Sequence, residues 1–388
     1  MYASRFIAGR LRVKERTVVA SIAVSFLVMV LAVSISSGFR SEIRDGLSQM
    51  SGDIQLTGVG MNYISEDDPI SSQPSYRSML DSLDGVATIS PAIYRAGIVK
   101  KDDLIQGVLF KGVEGRDSLE GLGISIPSRM AEMLSIAKGD RITAYFISER
   151  LKARNFTVKE IYPSVVETDD NLLAYASIRD MQRLNGWEED QVSALEVVLN
   201  REWQRGNGPK AKAEEVGSIS LAMMDGEDDT LVARSITDKY PQLFAWLDLI
   251  DFNVVFILIL MTIVAGFNMI SGLLILLFRN TATIGTLKSF GMRDSSIADV
   301  FVRASSVLVL KGMAIGNLLA LAFCLVQGKW HLLKLDPANY FVPYVPVSVD
   351  ILSILSADVV AYLIIMLLML IPSLFISKVD PAKTMRAQ

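Results

Sequence analysis

TVVASIAVSFLVMVLAVSISSGF, residues 17–39, holds no charged side chain. A helix rises ~1.5 Å per residue, so about 20 such residues cross a ~30 Å hydrocarbon core. This stretch decides the class of fold as that of a membrane protein, and three further runs extend it. Residues 252–278 are uncharged; 297–327 are interrupted by Asp299, Arg303 and Lys311; and 351–377 contain Asp358 alone. Four transmembrane helices are predicted, at 17–39, 251–278, 297–327 and 351–377. The first is too long to be the apolar core of a signal peptide and reads as a retained anchor.

Basic residues in the short flanks set the orientation. Arg5, Arg10, Arg12, Lys14 and Arg16 precede the first run, Arg279, Lys288 and Arg293 follow the second, and Lys378, Lys383 and Arg386 follow the fourth. Both termini are therefore expected in the cytoplasm, with 1–16 an interfacial segment, 279–296 a cytoplasmic loop, 328–350 an outer loop and 378–388 a cytoplasmic tail. Residues 40–250 would lie outside, carrying 23 Lys/Arg against 34 Asp/Glu, while the rest of the chain has 15 against 8. So acidic a domain would repel a phosphate backbone, which argues against nucleic acid as a partner. One cysteine, Cys324, rules out an internal disulfide, and with a single histidine, His331, a His/Cys metal site is not expected.

Alternation within 40–56 reads as a helical continuation stopped by Gly52 and followed by a strand at 54–57. Further strands are expected at 86–89, 96–100, 105–111, 141–146, 156–161 and 195–199, where β-branched and aromatic residues gather. Helices are expected at 75–83, 128–134, 178–184 and 229–240. This mixture without a βαβ repeat implies an α+β domain. Gly206, Gly208 and Pro209 mark 201–217 as a flexible insertion.

No G-x-x-x-x-G-K-[ST] occurs, so the chain lacks a P-loop nucleotide cradle. The acidic runs Glu66–Asp68 and 225–229 read as solvated loops rather than as catalytic carboxylates. Gly312 and Gly316 have the small-xxx-small spacing of closely packed membrane helices. Lys311 sits ~22 Å along the third helix and Asp358 ~28 Å from the far end of the antiparallel fourth, so the two are expected to meet as an intramembrane ion pair. Between the second and third helices, TIGTLKSFGM (283–292) presents Ile284, Leu287 and Phe290 as a small apolar face. Gly291 suits the turn that ends it, and Ser296 with Asp299 would cap the next helix.

RFIAGRLRVK (5–14), SGFRSEIRDGLSQMSGDIQL (37–56), AGFNMISGL (265–273), IGTLKSFGM (284–292) and VDPAKTMR (379–386) together resemble the lipoprotein-releasing permeases of the LolC/LolE type, within the wider MacB/FtsX-like group. The resemblance implies an ABC transporter subunit of the bacterial inner membrane with a MacB-like periplasmic domain between helices 1 and 2. The partners it implies are two cytoplasmic ATPases, which hold the ATP and Mg while this chain holds no cofactor, together with a second permease and a lipoprotein substrate that a periplasmic carrier then takes. Ile284, Leu287, Lys288, Phe290 and Gly291 would form the ATPase-coupling helix. Val33, Ile35, Phe39, Phe252 and Phe256 would admit lipid chains between protomers. Two features depart from the family pattern: Thr283 stands where relatives commonly carry an acid, and FISERLKARNF (146–156) is shorter than the hairpins that recruit a carrier. The competing reading is a mechanotransmission subunit that works an outer partner without moving substrate through the membrane.

Overall fold

The structure is a computed structural model that describes residues 16–60, 64, 66, 68–102, 104–147, 151–163, 172–204, 206–223 and 231–373. The expected interfacial segment before residue 16, the tail from 378, the acidic run at 225–229 and the middle of the 146–156 hairpin lie outside the described residues. The chain divides into two units. One takes in Met1–Ser41, Trp246–Lys334 and Tyr344–Gln388, and the other Glu42–Ala245 with Leu335–Pro343.

In chain order, α1 (Arg16–Ser51) is one unbroken helix of 36 residues. It stops at Gly52, where φ is 71° and the N–H returns to the Ser48 carbonyl at 2.7 Å, a left-handed cap that glycine adopts without Cβ strain. Then come β1 (Ile54–Gly58), β2 (Ile70–Ser71), α2 (Arg77–Asp81), β3 (Val86–Lys101), β4 (Leu104–Val113), β5 (Gly123–Pro127) and α3 (Ser128–Met133). They are followed by β6 (Arg141–Phe146), β7 (Lys152–Tyr162), β8 (Leu173–Ser177), α4 (Ile178–Asn185), β9 (Gln191–Val192) and β10 (Ala194–Leu199). The stretch Glu42–Ala245 closes with α5 (Gly208–Met223), β11 (Leu231–Ser235) and α6 (Ile236–Lys239).

The main sheet has the order β11-β1-β10-β3-β4-β8-β5-β7-β6, and β6 pairs again with β3, Val99 opposite Ala144. Six strands, β3 to β6 in that order, thus close into a barrel, and the remaining three extend from β3 as an open sheet. Pairings are antiparallel except β4 with β8 and β5 with β7. Phe110, Phe146 and Phe156 fill the barrel with ring centroids 5.0 to 6.2 Å apart. Gly97 makes room for them, since a Cβ there would stand 2.9 Å from the Phe146 ring.

Two expectations for this unit are corrected. The segment expected to be a flexible insertion is largely the helix α5, with Pro209 in its first turn, where a missing N–H costs nothing. Lys212, Ala213, Val216 and Ser220 turn one buried face toward the sheet. Of the helix expected over 229–240, the described residues from 231 onward form instead the edge strand β11, paired with β1, and the one-turn α6, because pairing with a neighbouring strand overrides local propensity.

The chain then runs through α7 (Pro241–Arg279), α8 (Thr281–Ser289), α9 (Asp294–Trp330), α10 (Pro337–Tyr340), α11 (Ile351–Leu368) and α12 (Leu370–Ser373). Among the described residues four helices are long and apolar enough to cross a membrane: α1, α7, α9 and the stretch Ile351–Pro372. The break at Met369 precedes Pro372, whose ring is incompatible with an unbroken helix through residue 368. Ile22, Phe26 and Met29 of α1 form a core with Met269 and Leu273 of α7, Phe301 and Val309 of α9, and Ala361 and Ile365 of α11.

Candidate coupling and lipid-access sites

The elbow between α7 and α9 is built by α8 and a glycine turn. Gly291 has φ 79°, its N–H meets the Lys288 carbonyl at 2.9 Å, and the Met292 N–H reaches back to the Leu287 carbonyl at 3.1 Å. This Schellman pair satisfies the last carbonyls of α8 and reverses the chain within three residues. Lys288 bridges the turn with an ion pair to Asp294 at 3.0 Å. The next helix starts at Asp294 rather than at the expected Ser296, and Asp299 pairs with Arg303 at 2.8 Å instead of capping it.

The expected apolar face does not form as one surface. Ile284 is fully buried (0% exposed), Leu287 is half-buried against the helix core, and Phe290 is 82% exposed. Residues three and six apart advance by 300° and 600° around a helix, so the third drifts off the face of the first. What α8 offers outward is Ala282, Thr283, Thr286 and Ser289 with Phe290 at the tip. Lys288 is held within the elbow.

The five residues expected at a lipid portal are likewise divided. Val33 packs with Val30, Ala320 and Ile354, Phe39 is buried edge-on against Trp246 with centroids 5.8 Å apart, and Ile35 is half-buried. Phe252 and Phe256, in contrast, are 69% and 63% exposed on α7, along with Val255, Ile259, Ile263 and Phe267. A polar cluster that sequence reasoning missed lies beside them. Arg40 pairs with Asp248 at 2.7 Å and with Asp251, and Ser36 Oγ donates to Asp251. Its signal was available: Arg40 and Asp251 are the charges that end the first uncharged run and begin the second.

The expected Lys311–Asp358 ion pair is absent among the described residues. Asp358 accepts from Asn317 Nδ2 at 2.5 Å, and Lys311 is exposed. Depth along antiparallel helices is similar for the two, but six residues turn a helix by 600°, which puts Lys311 on a different face of α9 from Asn317. Gly312 and Gly316 face α1. A Cβ at Gly316 would stand 2.4 Å from the Ala23 carbonyl oxygen, and one at Gly312 2.6 Å from Ile22 Cγ2.

Residues 255–381 match the family described as the FtsX-like permease C-terminal domain, a span that takes in most of α7, the elbow, α9 and α11. The chain carries an FtsX-like permease domain. Similarity to whole proteins runs further. The chain is 21% identical to the lipoprotein-releasing system transmembrane protein LolE of Haemophilus influenzae, over 94% of this chain and 92% of that protein. It is 22% identical to the corresponding LolC of Neisseria meningitidis, over 95% and 92%. Among solved structures, the extracellular domain of the noncanonic ABC-type transporter YknZ from Gram-positive bacteria aligns with a TM-score of 0.31 at 12% identity, over 47% of this chain and 99% of that one. The periplasmic region of MacB from Actinobacillus actinomycetemcomitans aligns with a TM-score of 0.31 at 12% identity, over 51% and 95%.

Proposed function

We propose that this chain is the permease subunit of an ABC transporter, and that it uses ATP hydrolysed by two separate cytoplasmic ATPase subunits to extract lipoproteins from the bacterial inner membrane. The observation that carries the reading is the extent of its similarity to proteins of lipoprotein-releasing systems, which runs over nearly the whole of both chains. In this reading the chain crosses the membrane four times, both termini and the elbow are cytoplasmic, and the 42–245 domain is periplasmic. Phe290 seats in the ATPase, and the rigid turn at Gly291 passes the stroke to α7 and α9. The exposed apolar face of α7 with Phe252 and Phe256 meets acyl chains or the second permease, a copy or a paralogue, and a periplasmic carrier receives the released lipoprotein.

The unbroken helices α1 and α7, of 36 and 39 residues, favour a second reading. Each is longer than the ~20 residues a bilayer needs, a form suited to transmitting movement to a periplasmic partner without substrate transport. One experiment separates the two. The native complex is purified, its subunits are identified, and it is reconstituted with a triacylated lipoprotein and a soluble acceptor. ATP-dependent appearance of lipoprotein in the soluble fraction supports extraction. ATP turnover without release, in a complex that holds an ATPase, would exclude extraction and leave mechanotransmission.

A further inference from the structure

The 42–245 unit holds a buried polar cluster that the access and coupling sites do not use. Glu196 on β10 and Lys111 on β4 are 9% and 3% exposed at the side chain and pair at 2.7 Å. Lys111 Nζ also donates to the Met50 carbonyl at 2.8 Å. Tyr94 Oη on β3 donates to the other oxygen of Glu196 and lies 3.2 Å from the same Met50 carbonyl. Met50 belongs to the last turn of α1, whose final carbonyls have no partner inside the helix. An ammonium placed there satisfies one of them and complements the negative end of the helix dipole.

The second connection reaches the same place. Lys239, the last residue of α6, lies with its Nζ 5.2 Å from the Tyr94 ring centroid and donates to Gln55 Oε1 at 2.8 Å. Tyr240 follows it, hydrogen-bonded to Ser51, and α7 begins at Pro241. The end of the helix leaving the first apolar run and the start of the helix entering the second are thus tied to one buried carboxylate and to the barrel strands β3 and β4. Burial raises Tyr240 above the usual tyrosine range and lowers Lys111 below the usual lysine range, as dry surroundings do to groups that must charge.

A buried ion pair is poor evidence of stabilisation, since apolar residues of similar volume often serve as well or better. Its directional bonds do something apolar contacts cannot, which is to fix the rotation of a helix end. A turn of α1 by one residue moves each carbonyl by 100° and takes Met50 away from Lys111. We infer that Lys111, Glu196 and Tyr94 form the joint that holds the ends of α1 and α7 in register with the barrel, so that movement of those helices is passed into the domain. This inference rests on the ATP-driven reading above.

The test uses the full chain with its ATPase in nanodiscs, with Cys324→Ala to remove the native thiol and spin labels at Gln49→Cys on α1 and Ser118→Cys beside β5. Wild type is expected to keep one Gln49–Ser118 distance with and without trapped nucleotide. The variants Lys111→Met/Glu196→Met and Tyr94→Phe are expected to keep that distance at rest and lose it when nucleotide is trapped. ATP turnover should persist while release per ATP falls about tenfold, within the usual range of coupling between sites. Tyr94→Phe removes only a hydroxyl, so it reads the joint even if the double variant fails to fold. Unchanged distance and unchanged release in Tyr94→Phe, in a complex whose wild type is ATP-responsive, overturn the joint. A wild-type chain that recruits no ATPase overturns the underlying reading, and the joint with it.

Discussion

Phe290 is the one large apolar side chain that the elbow turns fully outward, whereas Ile284, earlier in α8, is core. The two therefore predict opposite outcomes. Phe290→Ala leaves thermal unfolding of the chain unchanged and weakens association with the ATPase by about 2 kcal/mol, the scale of an anchor residue at an interface. Ile284→Asp buries a charge and lowers the unfolding temperature before any interface is reached. Co-purification and a melt on the same preparations distinguish them, and equal ATPase recovery for Phe290→Ala and wild type would remove Phe290 from the contact. A second residue-scale prediction concerns Lys239. Burial pushes it down to about 8, with Lys111 adding to the fall and Glu196 opposing it. An unfolded lysine titrates near ~10.4, so between pH ~8 and ~10 the unfolded chain binds more protons and stability rises with pH, by at most about 1.4 kcal/mol per unit. Lys111, also lowered by burial, acts in the same direction, while Tyr175, pushed up to about 12 chiefly by burial, costs stability above pH ~10. Unfolding of the full chain should therefore show a stability maximum near pH 10, and Lys239→Met should flatten the rise that precedes it. A profile that falls steadily from pH 8 would contradict this.

At the scale of elements, what was legible followed from charge gaps and glycines. The uncharged 17–39, the stop at Gly52 and the turn at Gly291 each depend on local sequence and need no distant partner, and the structure has α1, its cap and the elbow turn there. Elements that depend on a partner were harder. β3 reads as two strands, at 86–89 and 96–100, because Pro91 interrupts it. In the fold Pro91 lies where the strand pairs with β10 alone, and β4 joins from Ile93, so only one edge needs donors there. Pairing across helices was harder again, since sequence gives depth along an axis but not which face is presented. Lys311 and Asp358 agree in depth, and Asn317 is the residue that turns toward Asp358. Asn317→Ala should then destabilise the helix bundle by ~1–3 kcal/mol, the cost of leaving a buried polar group unpaired, while Lys311→Met should change little. The Asn317→Ala/Asp358→Ala double variant should lose less than the sum of the two singles. Additive losses in detergent melts, or a strong effect of Lys311→Met, would reverse this assignment.

For the whole molecule the decisive question is which side of the membrane each part occupies. The chain separates its charge sharply: 34 acidic against 23 basic residues lie between Arg40 and Ile250, and basic residues dominate the short flanks of the apolar helices. Because only short flanking loops orient a membrane protein, the basic elbow and termini should be cytoplasmic and the acidic domain should lie outside. Two exposed positions report on the two sides. Ser118 follows Asp117 in the 42–245 unit, and Ser289 ends α8 in the elbow. The sole native cysteine, Cys324, is buried within α9, so background labelling is low even before it is replaced. With an outer membrane made permeable and an inner membrane left sealed, a membrane-impermeant maleimide should label Ser118→Cys fully and Ser289→Cys only after the inner membrane is opened. Phe290 could not then meet an ATPase in the reverse case, so labelling of Ser289→Cys in sealed cells would overturn the elbow, the orientation and the proposed route of energy transfer together.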